Sequence, residues 1–267
     1  MKQRVFVTGA TGGMGFASLK EMLKYFEKQD IVILARDSEK SRNILKPYME
    51  TPGLEIVWGD LNNYDDVLKC VKGCDLILHI AAFVSPAADY YPKQAMKVNY
   101  GSTRNIINAI YEFGQQERTH LVYIGTVAET GDRMPPVHWG RVGDPIKPSM
   151  FDYYAVSKVA AERLVIESGL KYWVSLRQTG IIGRAMAEIE DAIMFHNCFD
   201  NVLEYCSDRD SARAMKNLCA FFHDGTLEES FWDIGGALCR ISTYEMYRII
   251  YGAIGITNLD YILSPKK

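Results

Sequence analysis

The chain lacks any apolar run approaching the roughly 18 residues of a membrane span. It also lacks a dense block of lysine or arginine, and its 30 basic residues face 33 acidic ones, for a formal net charge of −3. Clustered positive charge supplies most of the affinity for nucleic acid and for anionic membranes, so neither partner is expected. The six cysteines, at positions 70, 74, 198, 206, 219 and 239, form no CxxC pair and have no histidine at ligand spacing, so no metal is expected. The N-terminus runs straight into a strand-and-glycine pattern with no secretory signature. Reduced thiols in a cytoplasmic protein are therefore expected rather than disulfides. There is no internal repeat and no low-complexity linker.

What is present is an alternation of short apolar runs with helical spacing. Val5–Thr8, Ile31–Leu34, Leu54–Trp58, Leu76–His79, His120–Ile124, Trp173–Leu176 and Phe231–Ile234 read as seven strands. Helical patterns lie between them, through Leu19, Met22, Leu23 and Phe26 and then around 64–72, 92–113 and 152–168. Continuous apolar strands alternating with helices predict an α/β, doubly wound parallel sheet covered on both faces. Residues 1–183 plus about 208–236 form the sheet domain on this reading, and about 184–207 and 237–267 a small substrate-binding lobe. The Pro/Gly-rich stretch Gly131–Pro148 is a candidate substrate-side loop, or a plain surface excursion.

The first strand runs into Thr8, Gly9, Ala10, Thr11, Gly12, Gly13, Met14 and Gly15. Gly9 permits a tight turn, Gly12 lets backbone approach a pyrophosphate, and Gly15 lets the helix pack close to the sheet. The helix amides and dipole then favour anionic phosphates. At the end of the second strand an acidic residue would bind the ribose of NAD. Here Arg36 offers a guanidinium to the 2′-phosphate of NADP, the favoured cofactor, with NAD the alternative. Asp37 would point away or cap the next helix. Asp60, beside Leu61 after the third strand, either meets the adenine amine or caps the helix beginning near Tyr64.

Tyr154 and Lys158 stand four apart, on one face of a helix. A phenol keeps its proton until pH ~10, and a neighbouring ammonium is expected to lower that value. The pair can then act as a general acid/base. Tyr153, five residues from Lys158, points away around the helix and reads as a packing residue.

These features resemble the extended branch of the short-chain dehydrogenase/reductase superfamily, which includes NAD-dependent epimerases and dehydratases. The resemblance runs from Thr8 to about Gly255. It rests on the glycine turn, on Ala81 and Ala82 after the fourth strand, on Asn99 followed by Gly101, and on Thr126 at a strand end. Tyr154 and Lys158 match the YxxxK motif, and Leu176–Gly180 is similar to the family's LRPxxxxG segment. The resemblance implies a Rossmann-type fold and a homodimer through helices 92–113 and 152–168. It further implies catalytic roles for Thr126, Tyr154, Lys158 and Asn99. Gln178 and Thr179 would lie beside the nicotinamide, with Ala81, Ala82, Leu61 and Lys158 also on the cofactor. Phe83, Ser85, Trp139 and Met186 would join Thr126 and Tyr154 around a substrate, with Val84, Pro86 and Met134 as further apolar candidates. His79 and His138 match no family role and read as structural.

Three departures narrow the chemistry. Val127 and Ala128 stand where sugar-nucleotide dehydratases of the superfamily carry Asp-Glu, so an elimination lacks its acid and base. Gln178 replaces the usual proline. The chain stops at Lys267, earlier than extended members usually do, so the small lobe is reduced or the chain is one domain of a longer polypeptide. The expected activity is an NADPH-dependent carbonyl reductase or alcohol dehydrogenase acting on a small molecule. A nucleotide-sugar epimerase retaining NAD and a non-catalytic dinucleotide-binding protein are the alternatives.

Overall fold

A computed structural model describes residues 2–24, 29–131, 143–183, 200–221, 230–234, 240–253 and 255. In chain order the first half is β1 (Gln3–Thr8), α1 (Gly13–Leu23), β2 (Gln29–Ala35), α2 (Glu39–Leu45), β3 (Leu54–Trp58), α3 (Tyr64–Val71) and β4 (Leu76–His79). Then come α4 (Ala87–Tyr90), α5 (Pro92–Ala95), a π-helical turn (Met96–Tyr100), α6 (Gly101–Glu112), β5 (His120–Thr126) and α7 (Tyr153–Ile166). The remainder is β6 (Tyr172–Gln178), β7 (Gly180–Ile182), β8 (Val202–Ser207), α8 (Asp208–Phe221), β9 (Ser230–Ile234), β10 (Arg240–Ser242) and α9 (Thr243–Ala253).

Seven parallel strands form the main sheet in the order β3-β2-β1-β4-β5-β6-β9. Side chains alternate across each strand, so Val5 and Val7 enter one apolar layer with Leu19, Met22 and Met215, beneath α1 and α8. Phe6, between them, enters the opposite layer with Val67, Ile106 and Val165, beneath α3, α6 and α7. This double burial is why the strands read as unbroken apolar runs. Strands are added outward from β1 first on one side, as β2 and β3, and then on the other, from β4 onward, and this switch point between β1 and β4 opens a crevice at the strands' carboxyl ends.

Short polar residues place the helix starts. Ser38 accepts a hydrogen bond from the Ser41 N–H, Asn63 from Asp65 and Asp152 from Ala155, capping α2, α3 and α7. Neither Asp37 nor Asp60 is a cap. The helix expected over 92–113 is not uniform: the π-helical turn at Met96–Tyr100 adds a residue to its ladder and carries Asn99.

A second sheet, ordered β10-β8-β7, stands apart from the first. Tyr205, Met246 and Tyr247 form its apolar cluster, against α9. Among the described residues, no helix is long and apolar enough to cross a membrane, and no group of three or more His, Cys, Asp and Glu is placed to hold a metal.

Candidate active site

The glycine turn is built for close approach. Gly9 has φ +73°, and its carbonyl accepts the Gly12 N–H at 2.9 Å. A Cβ at Gly15 would overlap the Gly9 carbonyl, so α1 packs on the turn as only glycine allows. Gly12, the N-cap of α1, brings no side chain to the first-turn amides, and no acidic residue lies in that turn. This is the arrangement that receives a phosphate. Gly13 and Met14 open onto the main cleft. Gly9, Thr11, Gly12 and Gly15 shape the turn without lining it. Ala81 lies against Gly9 and donates its N–H to Thr8 Oγ1 at 2.9 Å, while Ala82 lines the cleft.

Beyond the end of β2 a second depression is lined by Arg36, Asp37, Ser38, Gly59, Asp60, Asn63 and Asp66. Asp37 is engaged by Arg42 at 2.6 and 2.9 Å, a bidentate pair that offsets its charge. Arg36 is exposed and has no carboxylate partner among the described residues. Asp60 Oδ1 accepts from the backbone and side-chain amides of Asn62, both at 2.8 Å. Leu61 does not line the depression; its carbonyl accepts from Asn105.

The main cleft, about 250 Å³, lies over the carboxyl ends of β4, β5 and β6. Thr126 and Gln178 are direct neighbours across β5 and β6, and α7 brings Tyr154 and Lys158 over them. Lys158 is buried; its Nζ donates to the Ile124 carbonyl at 2.5 Å and lies 4.1 Å from the Tyr123 ring centre. Gln178 Oε1 accepts from Ser211 at 2.7 Å. That leaves Gln178 Nε2 and Thr179 Oγ1 as buried polar atoms without a partner among the described residues. Such atoms fit a bound polar group in the cleft, and the carboxamide end of a nicotinamide is one.

Several expectations are corrected. Burial, reinforced by the charge of Glu129, raises the Tyr154 phenol above its ordinary value, and a hydrogen bond with Thr126 opposes this only in part. The lowering expected from Lys158 does not appear, because that ammonium is turned to Ile124 and is itself pushed down by burial. Asn99 does not reach the cleft. Its Nδ2 donates to Phe83 O at 3.0 Å and Ser157 Oγ at 2.8 Å, and its Oδ1 accepts the Phe83 N–H at 2.7 Å. Phe83 and Ser85 are half-buried but outside the cleft wall, which Val84 provides instead. Tyr153 is 41% exposed and so packs in no core. Met134, His138, Trp139 and Met186 lie outside the described residues.

The residue most clearly missed is Glu129. It is fully buried, one turn after Thr126, and Oε1 accepts the Thr126 N–H at 3.1 Å. Thr126 in turn accepts from Ala128, completing a capping box on the 3₁₀ turn Val127–Thr130. The spacing Thr-x-x-Glu was the available signal. Glu162, one turn beyond Lys158 on α7, binds Arg177 at 2.6 and 3.1 Å and accepts from Ser175 at 2.5 Å. Burial and the neighbouring Glu162 push the Glu129 carboxyl up. His79 is indeed structural: its ring bridges Thr8 and Thr103, both at 3.0 Å, and burial drives it down to about 3, keeping it neutral.

The strand order and the glycine turn define a Rossmann-type fold. Residues 5–215 match the sequence profile of the NAD dependent epimerase/dehydratase family, and the chain belongs to that family, within the extended short-chain dehydrogenase/reductase superfamily. It is 28% identical over 209 residues to a 3-beta-hydroxysteroid dehydrogenase of Mycolicibacterium neoaurum, covering 75% of this chain and 52% of that protein. Over 109 residues it is 30% identical to a UDP-glucose 4-epimerase of Rickettsia bellii, covering 39% of this chain and 32% of the relative. The chain thus spans about half the length, or less, of these curated relatives. In structure it is similar to the dTDP-glucose 4,6-dehydratase of Streptomyces venezuelae solved with NAD, with TM-score 0.80 and 20% identity, covering 99% of this chain and 84% of the other.

Proposed function

We propose that the protein is an NADP(H)-dependent oxidoreductase that interconverts a carbonyl and an alcohol on a small, largely apolar substrate. The observation that carries this reading is the convergence of Thr126, Tyr154 and Lys158 on one cleft with the uncapped start of α1. The nicotinamide, when bound, supplies or accepts the hydride. Thr126 donates a hydrogen bond to the substrate oxygen and holds it against Tyr154. Tyr154 gives its proton to that oxygen in reduction and takes it back in oxidation. A phenol raised by burial suits the proton-donating direction. Lys158, which lines the cleft and keeps donors beyond the one given to Ile124, would hold the ribose hydroxyls, and Gln178 Nε2 and Thr179 Oγ1 would hold the carboxamide.

Arg36 supports NADP, being a cation with no carboxylate partner among the described residues, beside a depression in which Asp37 is paired with Arg42. Met14, Ile80, Val84, Ile124 and Ile181 supply an apolar wall, which suits an apolar carbonyl compound better than a sugar. The second sheet and α9 form the substrate lobe. An epimerase retaining NAD is the alternative, in keeping with the sugar epimerases among the relatives. A homodimer is part of the proposal, through α5–α6 and α7, where Met96, Tyr111, Tyr153 and Val156 are exposed apolar residues. Unbridged thiols at Cys70, Cys74 and Cys219 are in keeping with a reducing cytoplasm.

Calorimetry with NADP and NAD, followed by a carbonyl panel at fixed NADPH, tests the reading. Tight NAD binding with no NADP binding would overturn the cofactor assignment. Interconversion of UDP-sugars without added cofactor would favour the epimerase.

A further inference from the structure

Among the described residues a single carboxylate, Asp208, lines the main cleft. It follows β8 and opens α8, where it is half-buried. The start of that helix is capped without it: Ser207 Oγ accepts the Asp210 N–H at 3.1 Å and donates to Asp210 Oδ2 at 2.8 Å. One turn further on, Ser211 donates to Gln178 Oε1, so this face of α8 is turned toward the floor of the cleft. Gly183, just past β7, makes room, since a Cβ there would come within 2.6 Å of Asp208 Oδ2. The Asp208 carboxylate takes part in no hydrogen bond or ion pair among the described residues. A charged group partly withdrawn from water without a partner is unfavourable, and on a cleft wall it marks where a ligand's donor belongs.

We propose that Asp208 is a specificity-determining residue whose carboxylate accepts a hydrogen bond from a substrate hydroxyl. This rests on the oxidoreductase reading, and it narrows the substrate class to hydroxy ketones and the corresponding diols. Such a molecule has an apolar body, its reacting carbonyl at Thr126 and Tyr154, and one hydroxyl away from that carbon. The cofactor does not claim Asp208, because Gln178 Nε2 and Thr179 Oγ1 answer the carboxamide and Lys158 answers the ribose. A substrate ammonium is the other group that would satisfy a carboxylate. It is disfavoured because Lys158 already places a positive charge in the same cleft of about 250 Å³. A hydroxyl meets Asp208 without adding charge, and a hydrogen bond to a charged acceptor is worth about 10–100-fold in affinity.

The probes are acetophenones carrying a hydroxymethyl group at the meta or para ring position, each compared with the matching methyl compound and with its aminomethyl analogue. Saturation-transfer NMR on the full chain with NADP reads binding, and kcat/KM with NADPH reads turnover. At one ring position or the other, the wild type is expected to favour the hydroxymethyl compound over its methyl counterpart by about 10–100-fold. In Asp208→Asn that preference shrinks, and in Asp208→Leu it falls to within about threefold. The binding arm separates the two readings: a protein that shows the expected preferences in binding but turns over no ketone keeps this proposal and loses the oxidoreductase. Equal binding of both members by the wild type would overturn the proposal, as would a preference that Asp208→Leu leaves in place. Tighter binding of the aminomethyl analogue would overturn it too. If Asp208→Leu fails to fold, Asp208→Asn decides.

Discussion

Asn99 Nδ2 donates to Ser157 Oγ at 2.8 Å, fastening the π-helical turn to α7 next to Lys158. Ser157 passes the link on by donating to the Tyr154 carbonyl at 2.7 Å. Asn99 therefore acts on Tyr154 and Lys158 through the backbone that carries them, and simultaneously holds both polar groups of Phe83.

Asn99→Leu removes these bonds while keeping the side-chain size. It leaves partly buried Phe83 groups unpaired and is expected to cost about 2–4 kcal/mol in urea unfolding. An Asn99 that served chemistry alone would leave unfolding unchanged.

Tyr154→Phe removes the proton donor without disturbing α7. Turnover in the carbonyl assay should fall by about 10²–10⁴-fold, with cofactor affinity and melting temperature retained. Unchanged turnover would end the proposed mechanism.

Arg36→Ala should weaken NADP binding about 10–100-fold by calorimetry, as loss of a charge-assisted phosphate contact does, and leave NAD affinity nearly unchanged. Equal loss for both cofactors would place Arg36 outside 2′-phosphate recognition.

His79 is neutral in the folded chain down to about pH 3, whereas the unfolded chain takes up a proton below about 6.5. Its folded value is depressed, so its contribution is complete above about 6.5. It declines as pH falls toward 3, by up to about 1.4 kcal/mol per pH unit. In urea titrations, the stability gap between wild type and His79→Gln should narrow steadily as pH is lowered from 7 to about 4. A constant gap would mean that His79 titrates alike in the folded and the unfolded chain.

The seven main-sheet strands, the order of strands and helices, and the glycine turn were legible because each depends on near neighbours. Val5–Val7 is apolar throughout because both faces of the strand are buried, and Gly9 is glycine because its φ is positive. Tyr154 and Lys158 share a helix face by spacing alone. The break at Met96–Tyr100 was not legible, because a π-helical turn leaves the apolar period almost intact.

By itself, then, the sequence determined the sheet, the glycine turn and the residues offered to the cleft. Tertiary structure decided what their surroundings do to them. Lys158 was expected to lower Tyr154, but β5 presents the Ile124 carbonyl to its ammonium and burial raises the phenol instead. Asn99 was expected at the chemistry, and Phe83 and Ser157 claim it. Glu129 showed only a capping spacing, and its charge environment comes from α7 and β6, which the fold brings to it. Spacing along the chain sets which residues can meet on one element. Burial and charge depend on segments distant in sequence, so they exist only once those segments have packed.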